Sequence, residues 1–298
     1  MKKGLIVVNA YCNIPSMLNQ SVRLKEEFEI LGVTVDVVKN GYNLFLDSDG
    51  NISGDIDSYD FCIYLDKDKY FAELLQRKGI KTFNKISSIT TCDDKMLTQI
   101  ALCNINVKMP KTFYAPLNYS NCEVSVDELK KVSDALKFPL VVKLSYSSLG
   151  KGVFKVDNLE DFYKIVNENK NSAKLYQEYV SSSYGKDVRI ICIGKKYLCA
   201  MLRKSTTDFR SNAELGGVGY EYNPPKEFIE VAEKIADVLD LDYMGVDLMF
   251  GKDNEPILCE VNSNAFFGVM EKVSKVNVAK AYANYVISQV YCKENLLW

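Results

Sequence analysis

Two acids and an amide near the C-terminal end carry the sharpest chemical signal. In "GVDLMFGKDNEPILCEVNS", residues 245–263, two apolar runs flank a turn, and each run contains one carboxylate. A two-residue turn at Asp253-Asn254 pairs 250 with 257 and 247 with 260. Asp247 then lies opposite Glu260, with Cβ atoms about 5 Å apart. Asn262, two residues on, shares the face of Glu260. Like charges directly opposite destabilise a sheet, and unpaired charge among apolar side chains is costly. A magnesium ion removes both problems, because it takes oxygen ligands and uses one or two carboxylates plus phosphate oxygens. Two other solutions stay open: the acids pair with Lys or Arg from elsewhere, or the register slips so that they do not meet.

Arg189, Arg203 and Arg210 stand in "KDVRII", "MLRKS" and "DFRSN", the first two interrupting apolar runs. Each taken singly fits a solvated strand position. Three arginines beside a carboxylate hairpin suit a polyanion with a transferable phosphoryl group. The stretch "KLSYSSLGKGV", residues 143–153, adds a lysine ending an apolar strand and a second lysine between glycines. Backbone amides in such a loop can approach anionic oxygens. It is neither a Walker loop nor G-x-G-x-x-G, and a polar hairpin with Lys143 snorkelling at a strand end remains the alternative.

The 298 residues are enough for one large domain or two to three small ones, and 47% are hydrophobic, enough for a real core. The formal net charge is -2 without a long basic block, which argues against binding nucleic acid. Histidine is absent, so imidazole metal sites, histidine bases and His-containing triads are excluded. Chemistry must rest on carboxylates, lysine, arginine, backbone amides or a hard metal ion. Nine scattered cysteines form no C-x-x-C pair and read as free thiols of a reducing compartment. The apolar run of "MKKGLIVVNAYC" breaks at Asn9, too short for a signal sequence, and no stretch has the length of a membrane span. A cytoplasmic protein is expected.

The elements that position these residues follow from periodicity. "GLIVVNA", a helix over 16–31 with Leu18, Val22, Phe28 and Leu31 on one face and Gly32 closing it, and "VTVDVV" make a β-α-β start, hence a parallel sheet. "YDFCIYL", a helix over 69–78 and "IKTFN" continue it. "DSDGNISGD" lacks the order of a calcium loop and reads as a hairpin turn. Residues 91–103 read as a helix capped by an aspartate, and "PKTFYA" as a strand. "SVDELKKVSDAL" opens with a Ser125/Glu128 capping box. "FPLVVKL", "VFKV", the helix "NLEDFYKIV" and "AKLYQEYV" follow. Beyond a serine-rich connection at 181–185, "DVRIICIG" and "KYLCAMLRKS" meet at Gly194-Lys195 as an antiparallel hairpin. Next come the helix "KEFIEVAEKIADVLDL", the carboxylate hairpin and one closing helix over 269–291.

Taken in order, "VVK…SSLGKGV…QEYV…KDVRIICIG…FRSN…GVDLM…CEVNS" resembles the ATP-grasp superfamily. Within it the chain is similar to the RimK-like ligases, of the ribosomal-protein glutamate ligase and lysine-biosynthesis carrier ligase types. The resemblance covers roughly residues 85–298. It implies an ATP-grasp fold, α/β and α+β, with an N-terminal Rossmann-like pre-grasp domain at 1–90, a central subdomain at 91–180 and a C-terminal subdomain at 181–298. It also implies that Lys95 and Lys143 contact ATP phosphates, while residues 147–153, with Ser147, Ser148, Gly150, Lys151 and Gly152, close over them. Gln177, Glu178, Tyr179 and Val180 would hold adenine, with Asp187 near the ribose. Arg210, Ser211 and Asn212 would face the terminal phosphate and the acyl intermediate, with Arg189, Arg203 and Arg210 as catalytic cations. Asp247, Glu260 and Asn262 match the ligands of magnesium or manganese, two ions in all.

The implied reaction is ATP-dependent carboxylate–amine ligation through an acyl phosphate, adding an amino acid such as glutamate to an acceptor. That acceptor could be a small molecule, a peptide, or a protein or carrier, and a homo-oligomer is expected by family. The alternatives are a kinase of the same fold and a nucleotide-dependent binding protein. One departure bears on substrate. Relatives commonly continue "EVNASPG", whereas this chain reads "EVNSNAFFGVME", with Phe266 and Phe267 replacing the Pro-Gly turn.

Overall fold

The structure, a computed structural model, describes residues 2–41, 43–56, 59–212 and 216–291. The chain begins with β1 (Lys3–Val8), α1 (Pro15–Ile30), β2 (Thr34–Lys39) and the small hairpin β3 (Leu44–Leu46) and β4 (Ile52–Gly54). Next come β5 (Phe61–Tyr64), α2 (Lys69–Arg77) and β6 (Lys81–Phe83). A parallel sheet results, in the order β2-β1-β5-β6. The central strands β1 and β5 are nearly continuous buried runs because both their faces are covered. Leu5 and Val7 pack toward α2 and the helix after β6, while Ile6 and Val8 pack toward α1 and the C-terminal helices.

The stretch 44–54 is the expected hairpin, with Asp47 accepting the backbone N–H of Asp49 and Asn51. The face expected for α1 is corrected. Leu18 and Val22 are exposed, and the buried side chains are Gln20, Ser21, Leu24, Glu27 and Phe28. Polar groups can occupy that face because they are partnered: Glu27 accepts from Arg23 at 2.9 Å and from Asn277 at 2.7 Å.

The expected single helix over 91–103 is two, α3 (Ile86–Asp93) and α4 (Lys95–Ala101). Asp94 divides them by capping α4, its side chain accepting from the N–H of Met96 and Leu97. An antiparallel sheet follows, ordered β7-β10-β8-β9. It is built from β7 (Thr112–Tyr114), α5 (Val126–Leu136), β8 (Leu140–Leu144), β9 (Val153–Val156), α6 (Leu159–Glu168) and β10 (Lys174–Glu178). The Ser125/Glu128 capping box is formed, and α5 and α6 bury one face.

The largest sheet runs β13-β12-β11-β14-β15. It comprises β11 (Lys186–Ile193), β12 (Lys196–Lys204), β13 (Val218–Glu221), β14 (Tyr243–Phe250) and β15 (Pro256–Asn262). The edge strand β13 carries no alternating apolar signal and was not expected. The helix α7 (Lys226–Val238) covers one face through Phe228, Ala232 and Ile235.

The closing helix is also two, α8 (Gly268–Ser274) and α9 (Val278–Tyr291). Lys275 turns left-handed between them, at φ 60°, and Asn277 caps the second by accepting from the N–H of Lys280. Phe267, α8 and α9 share a core with α1 and the first sheet. Asn84 stitches the same junction. Its amide donates to the carbonyls of Tyr243 and Ser263 and accepts from the N–H of Asp242 and Tyr243.

Candidate active site

The carboxylate pair meets by a different route from the one expected. The turn spans Gly251 to Glu255 with Asn254 at φ 61°, so Phe250 faces Pro256 rather than residue 257. A bulge between Asp247 and Leu248 then shifts the register by one. Asp247 consequently faces Glu260, and Gly245 faces Asn262. Cys259 is the residue taken up in the bulge, and burial pushes its thiol up to about 11.

Strand pairing extends this into a charge ladder. Arg189 faces Asp247 across β11 and β14, and Asp187 faces Arg203 across β11 and β12. Arg189 grips Asp247 with two bonds of 2.7 Å. Arg203 does the same to Asp187 at 2.7 and 2.6 Å, and its Nη2 lies 2.8 Å from Asp247. Ser211 donates to Asp187 at 2.5 Å. Burial by itself would raise the Asp247 pKa, but the guanidiniums of Arg189 and Arg203 outweigh it and hold the carboxyl below its usual range. At the hairpin's outer strand, Lys95 pairs with Glu260 at 3.2 Å and also donates to the carbonyl of Ser147.

Two cavities open on this ladder. The first, about 850 Å³ and open to solvent, is walled by Val141, Val153, Tyr179, Phe209 and Met249 and reaches Lys95, Lys143, Asp187 and Asp247. The expected residues Ser147, Gly150, Gln177, Glu178, Val180, Arg203, Arg210, Ser211, Asn212 and Glu260 also line it. The second lies between α1 and the segment after β15, bounded by Gln20, Arg189, Asn262, Asn264, Phe266 and Lys272. Arg203, Asn212 and Glu260 line both, so the cavities meet at the ladder.

Some expectations about individual roles change. Ser148 and Arg189 line the second cavity and not the first, and Lys151 and Gly152 line neither. Gly152 has a packing reason instead: a Cβ there would stand 2.5 Å from the Ser147 side chain. Arg210 is engaged by Asp208 at 3.0 and 2.7 Å and donates to the loop carbonyls of Gly150 and Val153 at 2.6 and 3.2 Å. It thus ties down the loop over the cleft. Both Asp187 oxygens are taken by Arg203 and Ser211, so its carboxylate orients the ladder in this structure.

Residues from the first sheet were missed. Lys67 reaches Ser148 at 3.1 Å while paired with Asp93 at 2.7 Å. Gln20 and Asn264, hydrogen-bonded at 3.1 Å, are 244 positions apart. No local spacing could have joined them.

A hard cation fits the donor set. Glu260 keeps Oε2 outside its ion pair with Lys95, and Asn262 would offer its amide oxygen, while its buried Nδ2, which has no partner, is a donor and cannot ligate a cation. Asp247 can share a lone pair beside its arginines. Among the described residues no group of three His, Cys, Asp or Glu could hold a metal. Two carboxylates and an amide suit an ion completed by phosphate oxygens rather than a closed cage. The orphaned polar atoms point to the two cavities. Buried side-chain atoms without partners, among the described residues, are Gln20 Oε1, Tyr179 Oη and Asn262 Nδ2, and all three residues line the two cavities. Buried polar groups are otherwise satisfied, so these mark where ligands sit.

The eight described cysteines are free, and Cys292 lies outside the described residues. No helix of the described residues is long and apolar enough to cross a membrane.

Comparison with known proteins places the chain in a family. A family model described as a RimK-like ATP-grasp domain matches residues 92–286. The MG012 homologue of Mycoplasma pneumoniae is 28% identical over 281 residues, 91% of this chain and 94% of that protein. β-Citrylglutamate synthase B of Homo sapiens is 31% identical over 216 residues, 72% of this chain and 55% of the synthase. The chain thus spans about half the length of that synthase. The solved structure of the ATP-grasp ligase PsnB with a minimal precursor, Mg and ADP matches with a TM-score of 0.70 at 14% identity, over 96% of this chain and 97% of that one. The chain belongs to the RimK-like ATP-grasp family.

Proposed function

We propose that the chain is an ATP-dependent carboxylate–amine ligase working in three units, residues 1–90, 91–180 and 181–298. The observation that carries this reading is the meeting of two cavities at Arg203, Asn212 and Glu260. ATP lies in the first, its adenine among Val141, Tyr179, Val180 and Met249. Its phosphates run past Lys95 and Lys143 under the loop fastened by Arg210. The acid and amine substrates occupy the second cavity, so the γ-phosphorus and the carboxylate face each other across the ladder.

Asp247, Glu260 and Asn262 would hold magnesium or manganese, two ions in the full complex, which would supply positive charge to offset that of the phosphates. Lys95 leaves Glu260 for phosphate as substrates bind. Arg189 and Arg203 orient Asp187 and Asp247 and keep Asp247 ionised, which preorganises positive charge where the transferred group develops its negative charge. A carboxylate oxygen of the acid attacks the γ-phosphorus and ADP departs. The amine then attacks the acyl carbon, loses a proton, and expels phosphate, leaving an amide. Positioning and charge neutralisation supply the catalysis, so histidine is not needed.

The matched synthase is named for a glutamate product, and L-glutamate is taken as the amine, with citrate in the first panel of acids. Phosphate release from Mg-ATP is expected only when acid and amine are both present, with a product lighter than their sum by one water. Phosphate-bearing product with no amine requirement would replace this reading with a kinase.

A further inference from the structure

Gln20 sits on α1, 2% exposed, at the wall of the second cavity. Its Nε2 donates to Asn264 Oδ1 at 3.1 Å and to the carbonyl of Ala265 at 3.4 Å. That carbonyl, which also accepts from the Tyr243 hydroxyl at 2.6 Å, can only accept. The amide is therefore fixed with its NH₂ toward Ala265, and Oε1 is the free end. Oε1 is buried and unpartnered, and an acceptor left so costs stability unless a ligand donor satisfies it.

The rest of the wall narrows the donor's chemistry. Arg189 and Arg203 are bound to Asp247 and Asp187, and Arg23 is bound to Glu26, Glu27 and Glu271. Lys272, exposed at the mouth, has the charge to meet a substrate carboxylate. Gln20 supplies the complementary acceptor deeper in.

On the ligase reading above, we propose that Gln20 determines specificity for the amine substrate, its Oε1 accepting an N–H of that substrate's amino group. An amino acid carries both an ammonium and a carboxylate, one for each feature. A hydroxy acid offers a poorer donor, and a dicarboxylate offers none. A site built around a buried acceptor discriminates sharply against analogues lacking the donor.

The test is steady-state phosphate release by the full chain with Mg-ATP, citrate and L-glutamate, comparing wild type, Gln20→Met and Gln20→Glu. Methionine and glutamate both lose the N–H donors to Asn264 and Ala265, and only glutamate keeps an acceptor oxygen. Gln20→Met is expected to raise the KM for L-glutamate about 10- to 100-fold, with the KM for ATP within about twofold. Gln20→Glu is expected to stay within about fivefold of wild type for L-glutamate. An unchanged KM for L-glutamate in Gln20→Met overturns the proposal while leaving the ligase reading intact. Equal losses in both variants, or a parallel rise in the KM for ATP, also overturn it, because those are the signs of a structural role. Wild-type phosphate release that L-glutamate does not stimulate overturns the ligase reading on which it rests. Melting temperatures of all three proteins are measured alongside.

Discussion

Glu260→Gln is expected to lower phosphate release by about 10³-fold, roughly 4 kcal/mol of transition-state stabilisation. The glutamine keeps the side chain's size and one carbonyl oxygen. It loses the charge that, on the proposed reading, would hold metal at the point where the cavities meet. The fold should barely notice. Glu260 is 26% exposed and its one ion-pair partner, Lys95, is 3.2 Å away, so the loss costs at most about 1 kcal/mol. For a chain of this size that is about 2 °C in melting temperature. The checks are turnover under saturating Mg-ATP and thermal unfolding of the same preparation. Turnover within tenfold of wild type would remove Glu260 from the reaction centre.

Arg203→Ala is expected to do the opposite, with its first effect on the fold. Its side chain is 5% exposed and bridges Asp187 and Asp247, themselves 9% and 3% exposed. Removing one member of a buried ion network leaves uncompensated charge and costs about 3–5 kcal/mol, or roughly 6–10 °C here. Asp247 would retain Arg189, but Asp187 would keep only the Ser211 hydroxyl. The sign of the pH dependence follows from Asp247. A carboxyl held below its usual range contributes stability that is present above that range and is lost as pH falls through the folded value. Losing Arg203 weakens that hold, so acid unfolding of the variant begins at a higher pH. Lys226→Ala is the control, since Lys226 and Glu230 form an exposed i,i+4 pair worth about 0.3–0.5 kcal/mol. Equal melting temperatures for the two variants would contradict the buried network.

Both predictions rest on a ladder that the sequence showed only in part. Asp247 and Glu260 stand out because acids are rare in apolar strands, and their separation suits a hairpin. The expected tip was wrong by one residue, and the bulge at Cys259 restored the pairing; bulges leave no simple mark in a sequence. That Asp247 is held by Arg189 and Arg203 depends on which strands become neighbours, and β11 lies about fifty residues from β14. The helix α1 fails for another reason. An apolar stripe at Leu18 and Val22 suggested the wrong face, since Gln20 and Glu27 are buried against partners supplied by the far end of the chain. The closing helix was joined into one because nothing in "KVSKVNV" breaks a helix except the turn that Lys275 and Asn277 make together. Phe266 and Phe267, which departed from the relatives' pattern, both border the second cavity, and Phe267 also enters the core.

The central claim is that the γ-phosphoryl group passes to a carboxylate before the amide forms, and oxygen labelling tests it most directly. With citrate carrying ¹⁸O in its carboxylates, L-glutamate and unlabelled Mg-ATP, each turnover should place one ¹⁸O in the released phosphate. The amide product should lack that same oxygen. Phosphate free of label, or label in AMP, would contradict an acyl-phosphate route and with it the account of the ladder as the place where phosphoryl transfer occurs.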